Sequence, residues 1–160
     1  CRQLQLRGTT VGMMTSASMD SFRQVSRSSQ GVEISVLVTA GISNARCAGD
    51  RADWRTFQPD ANPTGTINII LLTNATMSPA AMVESVMLAT EAKTVAMRKL
   101  GLKSPVSGTI ATGTGTDAIA VANGFGSGTI RYCGKHVLFG EMLASAVIEA
   151  ITEALSDRVY

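Results

Sequence analysis

The spacing of apolar residues changes several times along this chain, and each change marks an element. In "SFRQVSRSSQGVEISVLVTAG" polar and apolar positions alternate on both sides of Ser28 to Gly31. That pattern predicts a hairpin whose second strand runs over residues 32–40. "LQLRGTTVGMMT", within residues 1–15, predicts a further short strand region. Residues 41–65 carry no period and are rich in Gly, Asn, Asp and Pro, the mark of a long and functional loop. "TINIILLTN" is apolar almost throughout, as in a strand covered on both faces. A helix then begins, with Ser78 as N-cap and Pro79 at the first helical position, where a missing N–H costs nothing. Met82, Val83, Val86, Met87 and Thr90 keep helical spacing, and Gly101 stops the helix. "DAIAVA" and "TIRYCG" predict two short strands joined by a hairpin turn around residues 123–128. From Glu141 onward, Met142, Leu143, Ala146, Val147, Ala150, Ile151, Ala154 and Leu155 fall on one helical face. Its alanines permit close approach to another helix or a sheet.

Strands, helix, strands, helix, with hairpins outnumbering crossovers, predicts an α+β fold: one layered domain, residues 1–160, with a mixed or antiparallel sheet and two main helices. The length of 160 residues suits a single domain, and no linker or repeat divides it. Only 16% of residues are charged and the net charge is +2, without a basic stripe, which argues against a nucleic-acid partner. No apolar run approaches the roughly 18 residues that cross a bilayer. So thinly charged a surface is compatible with self-association or a large apolar ligand. Three cysteines without C-x-x-C spacing give neither a disulfide framework nor a metal set, which suits a reducing, cytoplasmic setting. Cys1, at the start of the chain, reads as the edge of a longer sequence.

The densest chemistry lies in "PVSGTIATGTGTDAIAVANG". Glycines bare their backbone N–H groups, and Gly113 and Gly115 between threonines can form a nest for an oxyanion or a phosphate. Thr114 and Thr116 can supply a nucleophile or hold a water, unless such a turn satisfies its own hydroxyls. Asp117 is a candidate base, or the group that orients one, or else a turn carboxylate that accepts backbone N–H groups. His136 is the single histidine and suits a proton shuttle near neutrality. Glu141 opens the last helix, where negative charge is favourable. Asn44, at the edge of the long loop, carries a side-chain amide able to donate to an oxyanion. Met82, Met87 and Met142 read as core.

"TAGISNARCAGD", "GTINIILLTNATMSPAAMVESVMLATEAKTVAMRKLGLKSPVSGTIATGTGTDAIAVANG" and "IRYCGKHVLFGEMLASAVIEA" resemble successive blocks of the adenosylcobinamide amidohydrolase (CbiZ) family. The likeness covers roughly residues 9–155. Its most specific parts are Ser43–Asn44 with Ala48–Gly49–Asp50, the "TEAKT" of residues 90–94, "TGTGTD" of residues 112–117, and Gly134 to Glu141. The resemblance implies hydrolysis of a linear, non-peptide carbon–nitrogen amide: removal of the aminopropanol arm of adenosylcobinamide to leave adenosylcobyric acid, in corrinoid salvage for cobalamin. The corrinoid is then substrate rather than cofactor, and no metal or other cofactor is expected. The chain is shorter at its N-terminus than such proteins, which predicts truncation there. In this setting Asp50 positions Arg46 or Arg51 or contacts the corrin amides, and Trp54 and Phe57 form a lid on the ring. Glu91 and Lys93, in "TEAKT", are two apart and cannot pair along one face, so one of them points towards a neighbouring element, with Glu91 the preferred candidate.

A fainter likeness in element order is to the self-processing aminopeptidases and the ornithine acetyltransferases. It implies a nucleophile at Thr66, after Gly65. The chain is continuous across that bond, so Thr66 stands as a candidate without a free α-amine. Two further functions accompany the leading one: a corrinoid-binding accessory module without catalysis, and an acyltransferase with a Thr ester.

Overall fold

The computed structural model describes residues 10–54, 57, 65–126 and 128–156. β1 (Arg23–Ser29) and β2 (Val32–Ala40) form the expected hairpin, paired antiparallel from Arg23↔Val38 to Ser29↔Val32. The two turn residues, Gln30 and Gly31, both have positive φ, 52° and 79°. That geometry matches the twist of an antiparallel pair, and Gly31 adopts it without strain. β3 (Ala45–Arg46) is a two-residue strand inside the long loop, and β4 (Ile67–Thr73) follows. Next come β5 (Thr76–Met77) and α1 (Pro79–Lys99), then β6 (Gly113–Thr114), β7 (Ala118–Ala122), β8 (Thr129–Ile130) and α2 (Leu138–Ser156).

The main sheet has the order β1-β2-β4-β7, with β2 and β4 antiparallel and β4 and β7 parallel. α1 makes the crossover that a parallel pair requires. Both helices cover one face, where Ile34, Val36, Val38, Ile67, Ile69 and Leu71 are buried with the α2 row of Leu143, Ala146, Val147, Ala150 and Ile151. This is the α+β layered domain with a mixed sheet and two helices that the order of elements predicted. No helix among the described residues is long and apolar enough to cross a membrane.

Helix capping follows the sequence closely. Ser78 Oγ accepts the Ala81 N–H at 3.1 Å, Pro79 opens α1, and Gly101 ends it with φ of 65°.

Four expectations are corrected. Residues 10–15 form no strand, while residues 1–9 lie outside the described part. β7 and β8 are not a hairpin: β7 pairs with β4, and β8 pairs in parallel with β5 in a separate two-stranded sheet. Gly124 and Gly126 instead donate their N–H groups to the Ala75 and Asn74 carbonyls at 3.0 and 2.9 Å, which ties this segment to the residues between β4 and β5. α2 starts at Leu138, ahead of Glu141, which lies in its first turn.

The buried face of α1 is not the one marked by Val83, Val86 and Met87, which are 62%, 38% and 60% exposed. Ala81, Ser85, Leu88, Ala89, Ala92, Lys93, Ala96 and Met97 face inward. Alanines win because α2 and the sheet edge lie close, and small side chains permit that approach. Met87→Lys is therefore expected to change stability by less than about 0.5 kcal/mol in a thermal melt. A loss of about 2 kcal/mol or more would return Met87 to the core.

Candidate active site

The first turns of β4 and β7 lie side by side because the strands are parallel, with Asn68 opposite Ala118. Thr66 immediately precedes β4 and Asp117 immediately precedes β7. β3 pairs with β6, Ala45 opposite Thr114, so the loop carrying Asn44 is fastened to the glycine-threonine loop. Local pairing thus draws three separate turns to one end of the sheet.

Asp117 is the hub. Its Oδ1 accepts the Ile67 N–H at 3.1 Å and the Thr114 hydroxyl at 2.5 Å. Its Oδ2 accepts the Thr114 N–H at 3.0 Å and forms an ion pair with Lys93 Nζ. Both charged side chains are about nine-tenths buried, at 11% and 10% exposure. An added Cβ on Gly113 would collide with the Asp117 carboxylate and stand 2.6 Å from Lys93 Nζ, so this pair can form only beside a glycine.

Two further bonds tie the neighbouring loop in place. Thr66 Oγ1 donates to the Thr116 carbonyl at 2.6 Å, and Thr116 Oγ1 donates to the Gly65 carbonyl at 2.9 Å. Those two hydroxyls are donors to main-chain carbonyls, whereas the Thr114 hydroxyl donates to a carboxylate. Only the last arrangement pairs an attacking oxygen with a proton acceptor that a third group orients.

Asn44 lies against this cluster. It is 8% exposed, and among the described residues neither its amide nitrogen nor its oxygen has a hydrogen-bond partner. Gly65, with φ of 97°, passes so close that a Cβ there would strike Asn44 Oδ1 and come within 2.8 Å of Ser43 Oγ. A Cβ on Gly115 would stand 3.4 Å from Asn44 Nδ2. An unpartnered buried amide costs about 1–3 kcal/mol, so its presence here calls for a reason beyond packing.

Beside Asn44 opens a cleft of about 250 Å³, lined by Arg46, Asp50, Arg51, Trp54 and Gly115 among others. Asp50 does not hold Arg46, which instead grips Asp53 through both carboxylate oxygens at 2.9 and 2.7 Å. The Asp50 carboxylate accepts the Ser104 hydroxyl at 2.5 Å and the Cys47 N–H at 2.7 Å. Hydrogen bonds from Ser104 first, then Ser107 and Cys47, hold its pKa below the ordinary aspartate value. Asp50 therefore stays ionised near neutrality and shapes the cleft wall. Trp54 is half-buried on that wall, while Phe57 is fully exposed.

His136 and Glu91 line a different cleft, of about 290 Å³, with Glu84, Met87, Cys133 and Lys135. Glu91 forms a surface ion pair with Lys135, and no described hydrogen bond links this cleft to Asn44, Thr66 or Asp117. Burial, and after it the Glu84 carboxylate, pushes the Cys133 thiol up to about 11, so it remains protonated at neutral pH. Glu141 is exposed at the start of α2.

Of Glu91 and Lys93, sequence reasoning preferred Glu91 as the inward-pointing charge, and the structure selects Lys93. Its signal was present: a lysine on the stripe Ala89, Ala92, Ala96 is a cation on a buried face, and such a cation requires a buried counter-charge. Also missed was Ser16, whose Oγ accepts the Gly65 N–H at 2.7 Å.

A hydroxyl–carboxylate pair oriented by a lysine, beside an amide with free donors, is the equipment of acyl transfer to water or to a hydroxyl. The chain belongs to the adenosylcobinamide amidohydrolase (CbiZ) family, whose sequence model matches residues 1–159. It is 37% identical to an uncharacterised protein of Methanocaldococcus jannaschii over 157 residues, 89% of this chain and 61% of that one. Identity to the adenosylcobinamide amidohydrolase of Methanosarcina mazei is 32% over 158 residues, 93% of this chain and 68% of the relative. To the adenosylcobinamide amidohydrolase of Halobacterium salinarum it is 31% over 131 residues, 78% and 51%. The chain thus spans from 51% to 68% of the length of these relatives. No solved structure matches it.

Proposed function

We propose that this chain hydrolyses the amide that attaches the aminopropanol arm to the rest of adenosylcobinamide, giving adenosylcobyric acid and free aminopropanol. The carrying observation is the buried Asn44 amide, without a partner, next to the Thr114–Asp117 pair. Membership of the family and the names of two relatives supply the substrate.

In this reading Thr114 Oγ1 attacks the scissile carbonyl carbon while its proton passes to Asp117. The carbonyl oxygen takes the negative charge and is met by Asn44 Nδ2, a donor with no other bond to break. The tetrahedral intermediate collapses, the carbon–nitrogen bond breaks, and the proton returns from Asp117 to the departing amine. Water then cleaves the Thr114 ester. Lys93 keeps Asp117 in place, and Thr66 and Thr116 hold the surrounding backbone. Trp54 and the guanidinium groups of the cleft offer an apolar plate and donors to a macrocycle rimmed with amide arms.

Aminopropanol release from adenosylcobinamide, followed by an amine assay, tests the reading. Thr114→Val removes the hydroxyl at nearly constant volume and is expected to slow release by about 10²-fold or more. An acyl adduct on the peptide containing Thr114, trapped by acid quench, is the expected mass-spectrometric sign. Wild-type turnover in the variant would exclude Thr114, and corrinoid binding without any amine release would leave a binding module in place of an enzyme.

A further inference from the structure

Among the described residues no helix covers the other face of the sheet, where Leu37, Ile70 and Ala120 of β2, β4 and β7 are half-buried. Register puts Leu37 opposite Ile70 and Ile70 beside Ala120, so an apolar belt runs across three strands on that side. The segment of residues 13–16 crosses one end of it as a strap. Asn68 Nδ2 donates to the Met14 carbonyl at 2.7 Å, and Ser16 Oγ receives the Gly65 N–H. Between strap and sheet lies a pocket of about 190 Å³, lined by Met13, Met19, Phe22, Leu37, Asn68 and Ile70 among others.

This pocket contains one polar group in need. Asn68 is 7% exposed, and its Oδ1 has no hydrogen-bond partner among the described residues. Its nitrogen is occupied by Met14, so the free atom is an acceptor and the ligand must bring a donor. Thr15 and Thr39 also line the pocket, but the Thr39 hydroxyl donates to the Thr15 hydroxyl at 3.3 Å, and the rest of the wall is mostly hydrocarbon and thioether, which adapts to an irregular apolar outline. The pocket also adjoins the candidate active site through the chain itself. Ile67, the residue before Asn68, donates to Asp117, and the strap that walls the pocket holds Gly65 against Asn44.

We propose that this pocket is a second substrate subsite, which seats an apolar ring edge and accepts a hydrogen bond from a primary carboxamide on that edge through Asn68 Oδ1. The inference rests on the corrinoid reading above, since a corrin edge carries both methyl groups and carboxamide arms. Entry of the ring displaces strap side chains from Asn68 Oδ1, while the Met14 carbonyl keeps its bond to Asn68 Nδ2. One molecule then lies on the sheet while its longest arm reaches the Asn44 cleft around the Gly65 turn.

Hydroxyl-radical footprinting of the chain with and without cobinamide tests the subsite, because methionines flank it. Met13 and Met19 line the pocket, whereas Met14, 92% exposed, and Met87, 60% exposed, do not. Cobinamide is expected to reduce oxidation of Met13 and Met19 several-fold and to leave Met14 and Met87 unchanged. In parallel, Ile70→Arg places a charge on the apolar floor and is expected to raise KM for aminopropanol release about tenfold with kcat within about twofold.

Unchanged oxidation of Met13 and Met19 in a wild-type chain that turns over adenosylcobinamide would overturn the subsite and spare the hydrolase. Protection of both residues without amine release would support the subsite and remove the hydrolase. If both become protected with rising protein concentration and no cobinamide, a second copy covers this face and the subsite is overturned. The footprint is read on the unaltered chain, so it decides the matter even where Ile70→Arg fails to fold.

Discussion

Replacing Lys93 with methionine is expected to cost about 3–5 kcal/mol, because it leaves the Asp117 carboxylate buried and uncompensated. For a chain of this size that corresponds to a fall of about 6–20 °C in melting temperature. The magnitude follows from position. With 10% and 11% of the two side chains exposed, water screens this pair far less than it screens the Glu91–Lys135 bridge, which is 53% and 65% exposed. Removing the surface bridge is expected to change stability by less than about 1 kcal/mol. The double variant Lys93→Met, Asp117→Leu removes both charges together and is expected to recover a substantial part of the loss. Recovery is incomplete, because Asp117 also accepts the Ile67 and Thr114 N–H groups, and leucine leaves them unmet. A differential-scanning melt of the three proteins checks this. A Lys93→Met protein as stable as the wild type would show that the pair does not hold the loop.

Asn44→Ala separates function from stability in the opposite sense. If Asn44 Nδ2 receives the developing oxyanion, its loss is expected to lower aminopropanol release by about 10²–10³-fold. The folded protein should lose nothing and can gain, since two buried polar atoms without partners disappear with the side chain. Amine release and melting temperature, measured on the same preparation, decide between roles. A drop in stability of about 2 kcal/mol with a proportionate loss of activity would make Asn44 a packing residue. Together the two variants test a division of the site into a group that keeps its shape, Lys93, and a group proposed to meet the substrate, Asn44.

Much of the architecture was legible in residue patterns. The Ser78–Pro79 cap, the stop at Gly101, the Gln30–Gly31 turn and the buried row of α2 all follow from local rules. Each depends on residues a few positions apart. The face of α1 was misread for a related reason. Met, Val and Ala all satisfy a helical period, and only the closeness of α2 selects the alanines. β7 and β8 went astray because the alternation that makes a strand does not name the strand it joins.

Legibility of the site divides along the same line. Asn44, Thr66, Thr114, Thr116 and Asp117 were candidates from their residue types, their motifs and the family they resemble, and the fold brings all five to one end of the sheet. It sets His136 and Glu91 in another cleft and makes Lys93, rather than Glu91, the inward-facing charge.

By itself, then, the sequence determined the β1–β2 turn, the two helices and the main strands, and which family the chain joins. Those properties are written in neighbours along the backbone and in spaced motifs. Tertiary structure alone decided that Lys93 meets Asp117, that the Thr114 hydroxyl faces a carboxylate while Thr66 faces a carbonyl, and that the amide of Asn44 and the oxygen of Asn68 are left without partners. The physical reason is that a buried polar atom is satisfied or orphaned by whatever packs against it from distant parts of the chain, and no local period encodes that.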